Sequence, residues 1–363
     1  MYLTAHKCFQ YRNIAELEFA PSPAVNVVCG HNGHGKTNLL ESVFLLTGAR
    51  SFRTGKDDAL IRRGSEQALV ESVFFSEGRA QTIKLRIGEK GRTASLNRGA
   101  ETKAASLAGH VCCVVFSPEH LTLVKGAPDT RRKFIDTALC QISPSYLQNL
   151  RRYTRLVSQR NSLLKDCGYV SAAYDMLDVY DAQFVEAAVV LTEQRRSFAE
   201  ELLPIAQGNY ATISGGREAL DFRYASSLFG EDEADYDEGL RRLADQRAAD
   251  VKCGFSTLGP HRDDLDLSLD GQDSKIFASQ GQQRTAVLSL KLAEAELMEL
   301  RLGERPVLLL DDVLSELDDR RQDFLIASIE DTQALITCCD PSLVVKRADA
   351  RVFAMENGAL RAR

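Results

Sequence analysis

No apolar run in this 363-residue chain approaches the roughly 18 residues that a membrane-spanning helix needs. The start, Met1-Tyr2-Leu3-Thr4, lacks the basic-then-apolar pattern of a secretory signal. These two absences predict a cytoplasmic protein without a membrane partner. Internal repeats, low-complexity tracts and sustained heptads are absent as well, which excludes a solenoid and a long coiled coil. The nine cysteines include no pair two residues apart and no histidine at ligand spacing from a pair. That excludes the common zinc frameworks and favours reduced core thiols. Cys112-Cys113 and Cys338-Cys339 lie in short apolar runs and read as buried strand residues.

An excess of positive charge is also missing. Net charge is −6, so the surface as a whole does not coat nucleic acid. The balance is uneven along the chain. From Leu121 to Lys165 there are nine Lys or Arg against two Asp or Glu, a local +7. From Glu231 to Asp250 there are eight acids against three bases, a local −5. One basic face for phosphates on an otherwise acidic protein fits this pattern, and so do solvated helix faces.

The order of patterns points to an α/β fold. The apolar run Ala24–Cys29 breaks into a glycine-rich loop, and a helical pattern follows through Leu39, Leu40, Val43, Leu46 and Thr47. Segments near Leu69–Phe75 and Thr82–Ile87 alternate as strands. From Leu121 the texture turns helical. Leu147, Leu150, Tyr153, Leu156, Val157, Leu163 and Leu164 mark one helix face. A longer face runs from Tyr174 to Leu202 and should stop at Pro204. The acidic stretch Glu231–Glu238 reads as a loop. Afterwards strand and helix alternate again, with Leu265–Leu269, Gln282–Leu300 and the wholly apolar Val307–Leu310.

Chemistry concentrates in a few motifs. Gly30-His31-Asn32-Gly33-His34-Gly35-Lys36-Thr37 is a full GxxxxGK[ST] phosphate loop in its strand–loop–helix context. Its backbone N–H groups would cradle phosphates, Lys36 would neutralise them and Thr37 would ligate Mg²⁺. Val307-Leu308-Leu309-Leu310-Asp311-Asp312 ends an apolar strand in two carboxylates. Asp311 would hold Mg²⁺ and Asp312 would polarise an attacking water, so Lys36, Asp311 and Asp312 are the candidate catalytic residues. Ser279-Gln280-Gly281-Gln282-Gln283 opens a helix and resembles the signature motif of ABC-type ATPases. The resemblance implies that Ser279, Gly281 and Gln282 meet a nucleotide held by an opposite subunit. Ser315-Glu316-Leu317-Asp318 resembles the D-loop of such heads, which adds Asp318. A lone signature serine is also a good helix N-cap.

Spacing narrows the class. Lys36 and Asp311 stand 275 positions apart (311 − 36), far more than a compact transporter subunit uses. The expected fold is a P-loop NTPase of the ABC/SMC head type with an inserted α-helical arm. Its head would come from 1–125 and 253–363 and its arm from 126–252.

Gly30–Glu41, Ser51-Phe52-Arg53-Thr54, Phe116-Ser117-Pro118-Glu119, Gly126-Ala127-Pro128 with Arg131-Arg132 and Phe134, and Gly259-Pro260-His261-Arg262-Asp263-Asp264 are spread over most of the chain. With the motifs above, they resemble the bacterial RecF family. The resemblance implies an ATP- and Mg²⁺-dependent homodimer that binds gapped duplex or single-strand/double-strand junction DNA. It would act with RecR and RecO to help load RecA, in recombinational repair and the SOS response, with weak DNA-stimulated hydrolysis as a switch. Rival readings are a transporter ATP-binding subunit, an SMC-like organiser and a nuclease ATPase. For the last, Asp221, Asp232 and Asp235 sit in loop-like sequence without histidine partners.

Two departures bear on mechanism. Asp312 stands where many ABC heads carry glutamate, and no histidine follows the strand Ala334–Cys338, where Thr337 takes the switch position. The turn Ser117-Pro118-Glu119 is the region expected for a Q-loop. His261 and Arg262 would be catalytic or would brace the head against Asp263 and Asp264. For phosphate contacts the candidates are Arg131, Arg132, Lys133, Arg151, Arg152, Arg155 and Arg160, with helix-face ion pairing as the alternative for each.

Overall fold

The structure, a computed structural model, describes residues 1–167, 171–231 and 233–363. Its centre is a six-stranded sheet in the order Ala359–Ala362, Ala350–Glu356, Val25–Cys29, Ala334–Cys338, Val307–Asp311, Cys113–Phe116. All neighbours run parallel except the Ala359–Ala362 edge strand. Alternate residues of these strands enter different cores. Val28, Leu309 and Leu335 join one cluster, whereas Val27, Leu308, Leu310 and Ile336 join the other. Burial on both faces explains why Val307–Leu310 carries no polar residue.

One face is covered by the helix Lys36–Phe44, which lies between this sheet and a second, antiparallel sheet. That sheet has the order Ile14–Phe19, Tyr2–Tyr11, Gln67–Ser76, Arg79–Gly88, Gly91–Leu96, Thr102–Lys103. Leu39, Leu40, Val43 and Phe44 are buried on it. His6 is fully buried here and bridges Ser72 Oγ at 2.7 Å and Ser42 Oγ at 2.8 Å, which ties strand to helix.

The other face carries the helices Pro128–Ile142, Pro144–Asp166, Ser171–Ser214, Gln280–Leu302 and Asp319–Ser328. Pro144–Asp166 and Ser171–Ser214 pair antiparallel. Arg152 meets Glu186, Tyr153 meets Phe184 and Arg160 meets Asp181, so one partner number rises as the other falls. Pro204 does not end the longer helix, contrary to the sequence expectation. Ala206, Tyr210 and Ile213 beyond it are buried in the core, and that packing offsets the hydrogen bond lost at the proline.

Among the described residues of the acidic stretch, the loop ends at Asp235. Asp235 accepts from Glu238 N at 2.7 Å and caps the helix Tyr236–Cys253. Asp237 and Glu238 then sit in its first turn, where negative charge suits the helix dipole. Asp221 lies in the strand Leu220–Ala225, and Asp232 lies outside the described residues. That strand pairs antiparallel with Asp264–Leu269, which pairs with Gln272–Asp273. Leu220–Ala225 is thus paired with a strand beyond residue 252, and both share the helix-side core. Among the described residues, no helix is long and apolar enough to cross a membrane.

Candidate nucleotide-binding site

Three parallel strands deliver the site to one sheet edge. Val25–Cys29 runs into the phosphate loop, Val307–Asp311 ends in its carboxylate, and Ala334–Cys338 ends beside both. Ligands in open α/β sheets bind at this carboxyl edge. The loop's conformation depends on its glycines. A Cβ on Gly30 would sit 2.3 Å from the Met355 carbonyl oxygen. Gly35 holds φ +109, and a Cβ there would come within 2.8 Å of Asn13 Oδ1. Lys36 is 7% exposed and folds back to donate to the Gly30 carbonyl at 2.5 Å and the His31 carbonyl at 3.2 Å.

Thr37 Oγ1 donates to Asp311 Oδ1 at 2.8 Å, and Thr337 Oγ1 donates to the same oxygen at 2.8 Å. This contact joins positions 274 residues apart. A hydroxyl and a carboxylate at the loop mouth are hard oxygen donors, the set that Mg²⁺ takes. Lys36 and this oxygen pair, at a glycine-dependent loop that opens a helix, fit a magnesium–nucleotide complex.

Asp312 follows in the left-handed region at φ +52. Its N–H is held by Thr337 Oγ1 at 3.0 Å. Burial pushes the Asp312 carboxyl above its usual range, with Lys36 pulling down and Asp311 pushing up. Thr337 Oγ1 thus donates to the Asp311 carboxylate and accepts from the Asp312 N–H. Cys339, at the end of the same strand, faces the loop instead. Its thiol lies 3.9 Å from Lys36 Nζ and donates to Asn32 Oδ1 at 3.4 Å. Cys339 is exposed, unlike Cys338, which corrects the expectation of two buried thiols. Cys253 is exposed too, and all nine cysteines are free.

The helix carrying Lys36 is anchored by buried Glu41. Its carboxylate accepts from Tyr11 at 2.8 Å, from Arg12 at 2.8 and 2.6 Å, and from Ser51 Oγ at 2.5 Å. Burial pushes its pKa up, but the bonds from Arg12, Ser51 and Tyr11 outweigh that and hold it below the usual range. Neither Arg12 nor Ser51 stood out in the sequence as a partner of this helix, since only the fold brings them to it.

Ser279 is exposed and caps Gln280–Leu302. Gln282 Oε1 accepts from Ser279 N at 2.7 Å, while its Nε2 donates to Glu218 at 2.7 Å. Gln282 therefore braces the motif, and its amide does not reach outward. Asp318 caps the helix Asp319–Ser328 and pairs with Arg321. Arg321 also donates to the Gly281 carbonyl at 2.9 Å, so D-loop and signature are joined within one chain. Ser117 lies at the same sheet edge, where it caps the turn Pro118–Leu121.

The segment Gly259–Asp264 braces, by contacts other than those expected. His261 Nε2 lies 3.1 Å from the Ser256 carbonyl, which leaves Nδ1 to accept from the Tyr153 hydroxyl at 2.7 Å. Burial lowers its pKa. Arg262 stacks on Phe255. Asp263 accepts from Tyr224 at 2.6 Å and from Ser227, whereas Asp264 takes Arg131 in a two-bond fork at 2.6 and 2.9 Å.

That fork removes Arg131 from the candidate phosphate contacts, because it is 1% exposed and paired. Arg160 is removed likewise. It is fully buried against Asp181, Asp250 and Ser256. Arg132 bonds the Asp263 carbonyl at 2.6 Å, Lys133 pairs with Asp129, and Arg152 pairs with Glu186. Arg151 and Arg155 are exposed on the helix Pro144–Asp166.

Sheet order, phosphate loop and split motifs define an ATPase head of the ABC and SMC type. Residues 2–360 match the model of the RecF/RecN/SMC N terminal domain. Curated relatives named DNA replication and repair protein RecF are closely similar. The one from Agathobacter rectalis is 40% identical over 342 residues, 93% of this chain and 92% of that protein. The one from Symbiobacterium thermophilum is 40% identical over 99% of this chain and 98% of its own length. The chain belongs to the RecF family. A solved structure of the recombination mediator protein RecF with ATP in the RecFOR pathway superposes with a TM-score of 0.91 at 31% identity, covering 100% of this chain and 97% of that one. An Smc head domain from Pyrococcus furiosus shares the fold, with a TM-score of 0.56 at 14% identity. Likeness to RecF along the whole chain leaves the transporter and SMC-organiser readings without support.

Proposed function

We propose that this chain is an ATP-gated DNA-binding protein of replication and recombinational repair that acts as a homodimer. Mg-ATP would occupy the phosphate loop, and the partner copy's Ser279 and Gly281 would complete each site. The contact of Thr37 with Asp311 carries the reading, because it joins the phosphate loop to the strand carboxylate at one sheet edge. Lys36 and the loop N–H groups bind and orient phosphate oxygens. Bound Mg²⁺ would neutralise the phosphate charge. Asp312 accepts a proton from water, and its short side chain suits slow hydrolysis that serves as a switch. The head comprises 1–125 and 253–363 apart from the strand Asp264–Leu269, which pairs with Leu220–Ala225 of the arm inserted over 126–252.

Arg151 and Arg155, with Arg132, Lys133 and Arg152 where their pairs open, are the phosphate contacts of this reading. Gapped duplex or a single-strand/double-strand junction is the DNA, and RecR, RecO and RecA are the pathway partners, in the SOS response and in the cytoplasm. The test is fluorescence anisotropy of a labelled gapped duplex with the full chain in Mg-ATP and in Mg-ADP. Tight binding in ATP and weak binding in ADP is expected. Equal binding in both, or none in either, would contradict the reading.

A further inference from the structure

Two hairpin turns grip the phosphate loop by its carbonyls. The first, Arg12-Asn13, joins Tyr2–Tyr11 to Ile14–Phe19, with Tyr11 paired to Ile14. Asn13 Nδ2 donates to the Gly33 carbonyl at 3.2 Å. The second, Asn357-Gly358, joins Ala350–Glu356 to Ala359–Ala362, with Glu356 paired to Ala359. Its residues hold φ +49 and +82, as a type I′ turn requires. Such a turn closes through the residues that flank it, which leaves the Gly358 N–H free to donate to the His34 carbonyl at 2.9 Å. The turns also touch each other, because a Cβ on Gly358 would sit 2.6 Å from the Asn13 carbonyl oxygen. They belong to the two sheets of the head, so the stacking of the sheets decides the shape of the loop.

A chain of donors sets the direction in which Asn13 points. Arg53 can only donate, and its Nη1 takes Asn38 Oδ1 at 2.7 Å. Asn38 Nδ2 is left to donate to Asn13 Oδ1 at 2.8 Å, and Asn13 Nδ2 then faces Gly33.

The peptide bonds are trans, so a carbonyl held on one side sends the following N–H to the other. With Gly33 held by Asn13, the His34 N–H turns to the His31 carbonyl at 3.4 Å, which folds the loop on itself. With His34 held by Gly358, the Gly35 N–H points away from the hairpin. Gly35 is the residue before the helix Lys36–Phe44, so this N–H joins the free donors of the helix N-terminus.

We propose that Asn13 and Gly358 are positioning residues for nucleotide: they hold the loop carbonyls back, so that the Gly35 N–H meets a phosphate oxygen of Mg-ATP. The inference rests on the nucleotide-binding reading above and adds two residues that no sequence motif marked. Both act through the loop and neither supplies a group to the chemistry. A loop held in shape while empty loses less affinity to ordering when the ligand arrives.

The experiment compares wild type, Asn13→Ala, Gly358→Ala and Gly271→Ala as full chains. Gly271 stands in a turn of the same kind, with φ +49 at Asp270 and +75 at Gly271 and nothing within 4 Å of an added Cβ. It therefore carries the strain of an alanine without touching the loop. Equilibrium dialysis gives the Kd for Mg-ATP, steady-state hydrolysis gives KM and kcat, and melting without nucleotide reports the fold. Asn13→Ala should raise Kd and KM roughly fivefold, the worth of one hydrogen bond. Its kcat and its melting should stay as in wild type, because the loop binds phosphate alike before and during reaction. Gly358→Ala should weaken Mg-ATP binding as well, and Gly271→Ala should bind like wild type. Wild-type Kd in Asn13→Ala would overturn the positioning role and spare the nucleotide reading. A fall in melting with KM and kcat both impaired in Asn13→Ala would also overturn it, since that marks a structural role alone. Wild type that does not bind Mg-ATP would overturn the nucleotide reading and this inference together.

Discussion

Asp312 holds a backbone conformation that non-glycine residues adopt at a cost of about 1–3 kcal/mol. The bond from its N–H to Thr337 stabilises that turn and fixes the carboxylate beside Asp311. Burial raises its pKa, so it surrenders its proton later on the pH scale than a free aspartate. Only the ionised form accepts a proton from water, and hydrolysis should therefore fade on acidification from a higher pH than an ordinary aspartate sets. Asp312→Asn should keep ATP binding and lose roughly 100-fold or more in kcat. A pH–rate profile of wild type and steady-state hydrolysis by the variant check this. Undiminished turnover in Asp312→Asn would remove the residue from the chemistry. Cys339 belongs to the same scale. Its thiol, with no histidine nearby in sequence, stands where the strand end meets Asn32 and Lys36.

At the scale of elements, the strand Tyr2–Tyr11 is locked to the phosphate-loop helix through His6. Burial lowers its pKa to about 3. It is neutral when folded and titrates near 6.5 when unfolded. The unfolded chain therefore binds the extra proton as pH falls below 6.5, and stability drops. Between pH 7 and pH 5 this one group should cost about 2 kcal/mol. Urea unfolding at both pH values measures it, and His6→Gln should lose that share of the slope; an unchanged slope would contradict the assignment.

Elements whose logic is local were readable from sequence. The phosphate loop, the Ser279 cap and the doubly buried strand Val307–Leu310 each follow from a few adjacent residues. Features decided by distant partners were not. Arg131 looked like a surface cation because Asp264 stands 133 residues away, and Arg160 because Asp250 stands 90 away. Pro204 looked like a helix end because the core that carries the helix onward is tertiary. The bond of Thr337 to Asp311 was not legible either, because it exists only across two strands.

For the whole molecule, the signature face is open. Ser279 is exposed, and Ile276 and Phe277 just before it are 68% and 64% exposed. Apolar side chains that stand out just before this motif fit a surface covered on assembly. Within one chain, Arg321 already joins D-loop and signature, so the two would move together toward a partner's phosphate loop. A second copy related by a two-fold axis would satisfy both sites at once. Nucleotide would then act by favouring the closed pair over separate chains.

Sedimentation velocity in Mg-ATP and in Mg-ADP, with wild type and Ser279→Arg, tests this most directly. Wild type should sediment as a dimer in Mg-ATP and as a monomer in Mg-ADP. The variant should stay monomeric in both while still binding ATP by equilibrium dialysis. An identical wild-type mass in the two nucleotides, or a Ser279→Arg chain that dimerises normally, would contradict nucleotide-gated closure.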